Sequence, residues 1–172
     1  MNLYAMLILC LMLLLTLSVS AVTTVKNVDL QRYLGRWYQF AYFPNGFQPK
    51  DCALTTADYS IDKKGKIVVL NTCWKDKEGK IIKKQATGKA YPVDKSNAKL
   101  KVSFFWPFKG DYWIVKLADD YHYAVVSDPK QKYLWILTRS KQLDKTSYQE
   151  INRFLVNGGW DISKLVISGS LK

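Results

Sequence analysis

The sequence predicts an all-β domain of eight antiparallel strands able to close into a barrel, followed by one α-helix and a short ninth strand. Three observations predict it. Beyond residue 30 the chain falls into short runs rich in β-branched and aromatic residues, separated by turn signals. Several runs alternate apolar with polar residues, which leaves one face wet. Near the C-terminus the apolar period changes from that of a strand to that of a helix.

Gly35–Phe43 is the first run. Ala53–Ile61 follows and ends at Asp62-Lys63-Lys64-Gly65, a hairpin turn whose glycine suits a positive φ. Lys66–Trp74 leads to the charged turn Asp76-Lys77-Glu78-Gly79. Ile82–Tyr91 stops at Pro92, and Lys99–Phe105 stops at Pro107. Tyr112–Leu117, Tyr121–Val126 and Tyr133–Arg139 complete the eight, divided by Ala118-Asp119-Asp120 and Asp128-Pro129-Lys130. Tyr148, Ile151, Phe154 and Leu155 then recur at helical spacing. Asp144, Thr146 and Ser147 are candidate N-caps, and Gly158-Gly159 ends the segment. Leu165–Ile167 is the short last strand. No repeat or linker interrupts the chain, so residues 21–172 form one domain.

The alternation assigns faces. Leu100, Val102 and Phe104 share one side of their strand, with Lys99, Lys101 and Ser103 on the other. Ile67, Val69, Asn71 and Cys73 share a face, as do Trp135, Leu137 and Arg139. An eight-stranded barrel has an interior that is either filled by side chains or holds one small ligand.

Of 172 residues, 48% are hydrophobic and 14% aromatic, enough for a packed core, and the net charge is +12. Such a charge suits phosphate-bearing partners, but most lysines fall in turns or at strand ends, where a solvated surface explains them. Leu3 to Leu17 is almost wholly apolar, short for a membrane span, and small residues follow it. Residues 1–20 therefore read as a signal peptide cut after Ser20 or Ala21, and the chain as exported: secreted, or periplasmic and outer-membrane associated in a bacterium. Removal of the leader takes Cys10 and leaves Cys52 and Cys73, an even count that predicts one disulfide in an exported protein.

Gly35-x-Trp37, followed by Tyr38, resembles the first signature of the lipocalins. "YLWILTR" (Tyr133–Arg139) resembles the family's closing signature, in which an arginine on the last strand crosses the first-strand tryptophan. "LKVSFFWPFKGDYWIVKL" and "DDYHYAVVSD" resemble the branch of bacterial lipocalins and apolipoprotein D. The similarity spans roughly Val28 to Ile167.

The resemblance implies an up-and-down barrel in which Gly35 permits a sharp entry into the first strand, Trp37 seals the floor and Arg139 lies on its indole. It also implies which positions line a pocket. Tyr59, Asn71, Phe104, Tyr112 and Trp135 match ligand-lining positions, and Val102 is in step with Phe104. The expected guest is a small hydrophobic ligand, a fatty acid or a lysophospholipid, stored or carried for membrane maintenance. A sterol or a haem-like pigment is the alternative. Rim loops around Phe43–Phe47 and Trp106–Phe108 suit a peripheral membrane contact. No metal and no cofactor is expected, since two cysteines with no nearby histidine make no zinc site.

Two other classes are disfavoured. A lipocalin-type enzyme needs a nucleophile in the barrel; His122 is the sole histidine, read as a surface strand residue, and the two cysteines are committed to a bridge. A single-strand nucleic-acid binder needs its aromatics on an exposed basic groove, whereas Phe104 and Trp135 point inward here.

Overall fold

The computed structural model describes residues 21–49 and 51–172. The apolar leader, residues 1–20, lies outside the described residues, so its predicted cut is not addressed by the structure. The chain enters through a single helical turn, α1 (Leu30–Tyr33), whose cap Asp29 accepts the backbone N–H groups of Gln31 and Arg32. Eight strands follow: β1 (Gly35–Tyr42), β2 (Leu54–Ile61), β3 (Ile67–Lys77), β4 (Lys80–Pro92), β5 (Lys99–Phe105), β6 (Phe108–Leu117), β7 (Tyr123–Ser127) and β8 (Leu134–Thr138). Each is antiparallel to the next, and β8 returns to β1 with Tyr38 opposite Thr138 and Tyr42 opposite Trp135. The sheet is thus a closed eight-stranded barrel, a form without exposed edges.

Beyond the barrel come β9 (Gln142–Leu143), α2 (Lys145–Asn157), a 3-10 turn at Ile162–Lys164, β10 (Val166–Ile167) and β11 (Ser170–Leu171). Strand β10 pairs with the upper part of β1, where β2 has moved away, with Ala41 opposite Ile167. Of the three candidate caps of α2, the structure uses Asp144, which accepts the Ser147 N–H at 2.8 Å. The helix ends at Gly158, and Gly159 adopts φ +81°.

Two cores sit on opposite sides of the sheet. One fills the lower lumen with Trp37, Tyr33, Tyr59, Val69, Leu100, Ile114 and their neighbours. The other lies between the outer wall and α2, built on Phe40, Tyr123, Val125, Ile136, Ile151 and Leu155. This arrangement accounts for the imperfect alternation. Strand β7 is buried on both faces, with Ala124 and Val126 in the lumen and Tyr123 and Val125 under the helix. A bulge between Gln39 and Ala41 lets Trp37 face the lumen while Phe40 and Ala41 face α2.

Two strands begin earlier than their own composition suggests. Strand β4 starts at Lys80 rather than Ile82, and β6 at Phe108 rather than Tyr112. The cross-strand ladder extends them, pairing Lys77 with Lys80 and Phe105 with Phe108. Glu78 and Gly79 close the β3–β4 hairpin at φ 53° and 80°, the mirror-image turn that matches strand twist. Cys52, just before β2, is joined to Cys73 on β3 across a Cα–Cα distance of 5.4 Å.

Candidate ligand-binding lumen

Strand direction defines two ends. The closed end carries α1, the β2–β3 turn and the β4–β5 and β6–β7 connections; the other end carries the β1–β2 loop and the β3–β4, β5–β6 and β7–β8 turns. At the closed end Gly35 stands at φ +89°, a backbone that a side chain tolerates poorly. Two residues on, Trp37 is fully buried and donates its indole N–H to the Tyr33 carbonyl at 2.8 Å. The Arg139 guanidinium covers its outer face, with Cζ 3.8 Å from the ring centroid. It donates to the carbonyls of Arg36 at 2.9 Å and Arg32 at 2.5 Å.

Above Trp37 three phenols meet. Tyr33 arrives from α1, Tyr59 from β2 and Tyr112 from β6. Tyr59 donates to the Tyr112 hydroxyl at 2.8 Å, and the Tyr33 and Tyr112 hydroxyls also lie 2.8 Å apart. Burial pushes all three phenols well above their ordinary ionisation range, so they are un-ionised hydrogen-bonding groups at physiological pH.

The inward face of β5 opens progressively from floor to mouth. Leu100 is 1% exposed, Val102 is half-buried against the lumen core, and Phe104 is 45% exposed. The Phe104 ring lies against Gly88 on β4, where a Cβ would stand 2.9 Å from its Cδ1. Asn71, in step with Val69 on β3, is half-buried between Ala57 and Ala86 of the flanking strands. Trp135 is half-buried on β8 nearer the mouth and donates its indole N–H to Gln48 at 3.3 Å. Gln48 in turn donates to buried Gln39 at 2.8 Å, and Phe47 packs on Tyr133 and Trp135 with centroids 5.2 and 6.1 Å away. The β1–β2 loop is thereby fastened to the rim.

The sequence-predicted set occupies three levels of one lumen. Tyr59 and Tyr112 touch each other at the floor. Asn71 and Val102 line the wall, while Trp135 and Phe104 belong to the upper wall and the mouth. Tyr33, Gln39 and Gln48 were missed. Tyr33 sits on a helix too short to show periodicity, although Asp29 is a legible cap. Gln39 shares the parity of Trp37 and was legible from alternation alone, whereas Gln48 lies in a loop that carries no period.

The rim itself is aromatic. Phe105, Trp106 and Phe108 at the β5–β6 turn are 76%, 82% and 72% exposed, with Ile81 of the β3–β4 hairpin also exposed at this end.

His122 lies in the bend before β7 rather than within a strand. Its Nδ1 meets the Asp120 carboxylate, and its Nε2 lies 2.9 Å from the Ser147 hydroxyl. The residue types are those of a hydrolase triad, but the placement differs. A recess of about 300 Å³ beside them is lined by His122, Asp120, Asp144 and Arg139, whereas Ser147 is buried and does not line it. Ser147 belongs to the first turn of α2, so the contact ties the β6–β7 bend to that helix.

Comparison with known proteins agrees with this architecture. A family model described as a lipocalin-like domain matches residues 28–169. Temperature-induced lipocalin-1 of Arabidopsis thaliana is 39% identical over 150 residues, covering 82% of this chain and 78% of that protein. The outer membrane lipoprotein Blc of Escherichia coli K12 is 38% identical over 146 residues, covering 84% and 81%. Among solved structures, insecticyanin from the tobacco hornworm Manduca sexta superposes with a TM-score of 0.68 at 21% identity, covering 89% of this chain and 91% of that one.

Proposed function

This chain belongs to the lipocalin family, whose members bind small hydrophobic ligands, and from that premise we propose that its barrel lumen stores or carries a fatty acid or a lysophospholipid. The observation that supports this reading is the exposure gradient along β5, from sealed Leu100 to open Phe104, as expected of a wall reachable from the mouth above a closed floor. Tyr59, Asn71, Val102, Phe104, Tyr112 and Trp135 are the proposed lining. Burying a dozen methylenes there would contribute up to ~10 kcal/mol before ordering costs, at ~0.8 per CH₂. The fold is read as a carrier and not an enzyme, with His122 and Ser147 as structural partners. Native mass spectrometry of the purified protein should show bound lipid, and delipidated protein should take up lysophospholipid with quenching of tryptophan fluorescence. Repeated absence of both would end the proposal.

The mouth supports a second element of the same reading, a peripheral membrane contact. Phe105, Trp106 and Phe108 are amphipathic or apolar anchors, and Lys80, Lys83, Lys84 and Lys109 on the flanking strands add positive charge. Such a rim would let a lipid pass between bilayer and lumen without crossing water. Co-sedimentation with anionic vesicles should exceed that with neutral vesicles and should fall when all three aromatics become serine. Export is part of the proposal; N-terminal sequencing of the mature protein should begin at Ala21 or Val22.

A further inference from the structure

The floor of the lumen brings together more hydroxyl hydrogens than the contacts among its phenols use. Tyr33, Tyr59 and Tyr112 bring three hydroxyl hydrogens together, and their two oxygen–oxygen contacts consume two of them. Among the described residues the three hydroxyls make no other hydrogen bond, so one O–H is left over. With Tyr59 donating to Tyr112, the spare hydrogen belongs to Tyr112 when Tyr33 also donates to it, and to Tyr33 otherwise. Tyr112 is the half-buried member, packed at the edge of the lumen core, while Tyr33 and Tyr59 are sealed at 2% and 6% exposure. The arrangement that frees the Tyr112 hydrogen therefore leaves it on the phenol least covered by the lumen core. A donor that a guest covers without pairing weakens that guest's binding by roughly tenfold or more, so a guest that supplies an acceptor is favoured over one that does not.

We propose that Tyr33, Tyr59 and Tyr112 form a donor subsite at the blind end of the barrel, which selects a lipid bearing a neutral acceptor oxygen on its inner end. This rests on the lumen being a ligand site. The class follows from the surroundings. Arg139, the cation whose charge acts on Tyr33, lies against the Trp37 ring and is engaged by two backbone carbonyls. A carboxylate or phosphate driven to this floor would meet one donor and no counter-charge, which is costly in an apolar environment. A hydroxyl, ketone or ester carbonyl needs only the single bond available. Burial keeps the phenols un-ionised, so the donor persists at physiological pH. A chain that enters tail-first, with its acidic head at the mouth, would be read at its far end for oxygen.

The probes are saturated fatty acids of graded length and their ω-hydroxy counterparts, titrated into delipidated protein by tryptophan quenching. A buried hydroxyl without a partner should weaken binding by roughly tenfold or more. The wild type is expected to bind the ω-hydroxy acid at least as tightly as the plain acid at the length that reaches the floor. The variant carrying Tyr33→Phe and Tyr59→Phe keeps one hydroxyl, on Tyr112, and should keep that preference. Adding Tyr112→Phe should reverse it by roughly tenfold, read as the ratio of the two acids' affinities in the same variant. Thermal melting checks that each variant folds, and the wild-type comparison stands without them. A wild type that disfavours the ω-hydroxy acid tenfold at every length overturns the subsite but leaves the lumen reading intact. If neither acid binds at any length, both fall together.

Discussion

The Arg139 guanidinium covers the Trp37 indole at 3.8 Å and also bonds the carbonyls of Arg36 and Arg32, so a single side chain joins β8, β1 and α1. Its links are to the outside of the floor, not to the lumen. Arg139→Ala removes a cation–π contact of about 1–2 kcal/mol and two exposed hydrogen bonds whose carbonyls water can then serve, for a total of roughly 2–3 kcal/mol. The melting temperature should fall by roughly 5–10 °C, with ligand affinity within about twofold of wild type. Arg139→Lys should recover only part of the loss, because an ammonium cannot reproduce the fork. Unchanged melting with abolished binding would show that the residue serves the ligand instead.

The Cys52–Cys73 bridge closes a segment with a sequence separation of 21 and pins the foot of the β1–β2 loop to β3. In the chain-entropy model such a bridge stabilises by about 3 kcal/mol. Reductant should therefore lower the melting temperature by roughly 6–12 °C. The double variant Cys52→Ala and Cys73→Ala should melt near the reduced protein and be insensitive to reductant. An equal response of wild type and double variant would mean that reductant acts elsewhere.

Turn chemistry made the barrel legible. Asp62–Gly65 and Glu78–Gly79 marked hairpins by the residues that tolerate positive φ, and strand period did the rest. Strand ends were less legible, because Lys80 and Phe108 join a ladder that depends on their partners Lys77 and Phe105. The walls of the lumen followed from alternation, so Val102, Phe104 and Trp135 could be placed on one face. The floor could not be read completely. Tyr33 reaches Tyr112 across 79 positions of sequence from a four-residue helix, and no local pattern reports such a contact. The same holds for His122, whose partner Ser147 lies on an element 25 residues away.

At low pH the first region to loosen should be the start of α2. The Asp144 carboxyl is held below its ordinary range by the Ser147 backbone N–H and then by the Ser147 hydroxyl. A depressed native value means that this stabilisation is present above the ordinary carboxylate range and is lost as pH falls through the native one. Amide exchange at Ser147 should accelerate as pH drops below about 4, beyond the intrinsic pH dependence of exchange. In Asp144→Asn, which caps without a charge, that acceleration should be absent. Its persistence would assign the effect to another carboxylate.

At high pH the floor should set the limit. Burial raises Tyr33, Tyr59 and Tyr112, and it raises Tyr123 together with the nearby Glu150 carboxylate. A raised native value leaves stability whole below the unfolded value, about 10, and erodes it as pH climbs beyond, since the unfolded chain releases protons that the folded one keeps. Phenolate absorbance should therefore rise in two stages, exposed tyrosines first and the buried four only as the barrel opens. The variant with phenylalanine at 33, 59 and 112 replaces three buried hydroxyls by apolar groups of similar shape and should hold its fold to higher pH. If all tyrosines titrate together while circular dichroism still reports an intact barrel, the phenols are reached by water, and the dry floor on which the donor subsite depends does not exist.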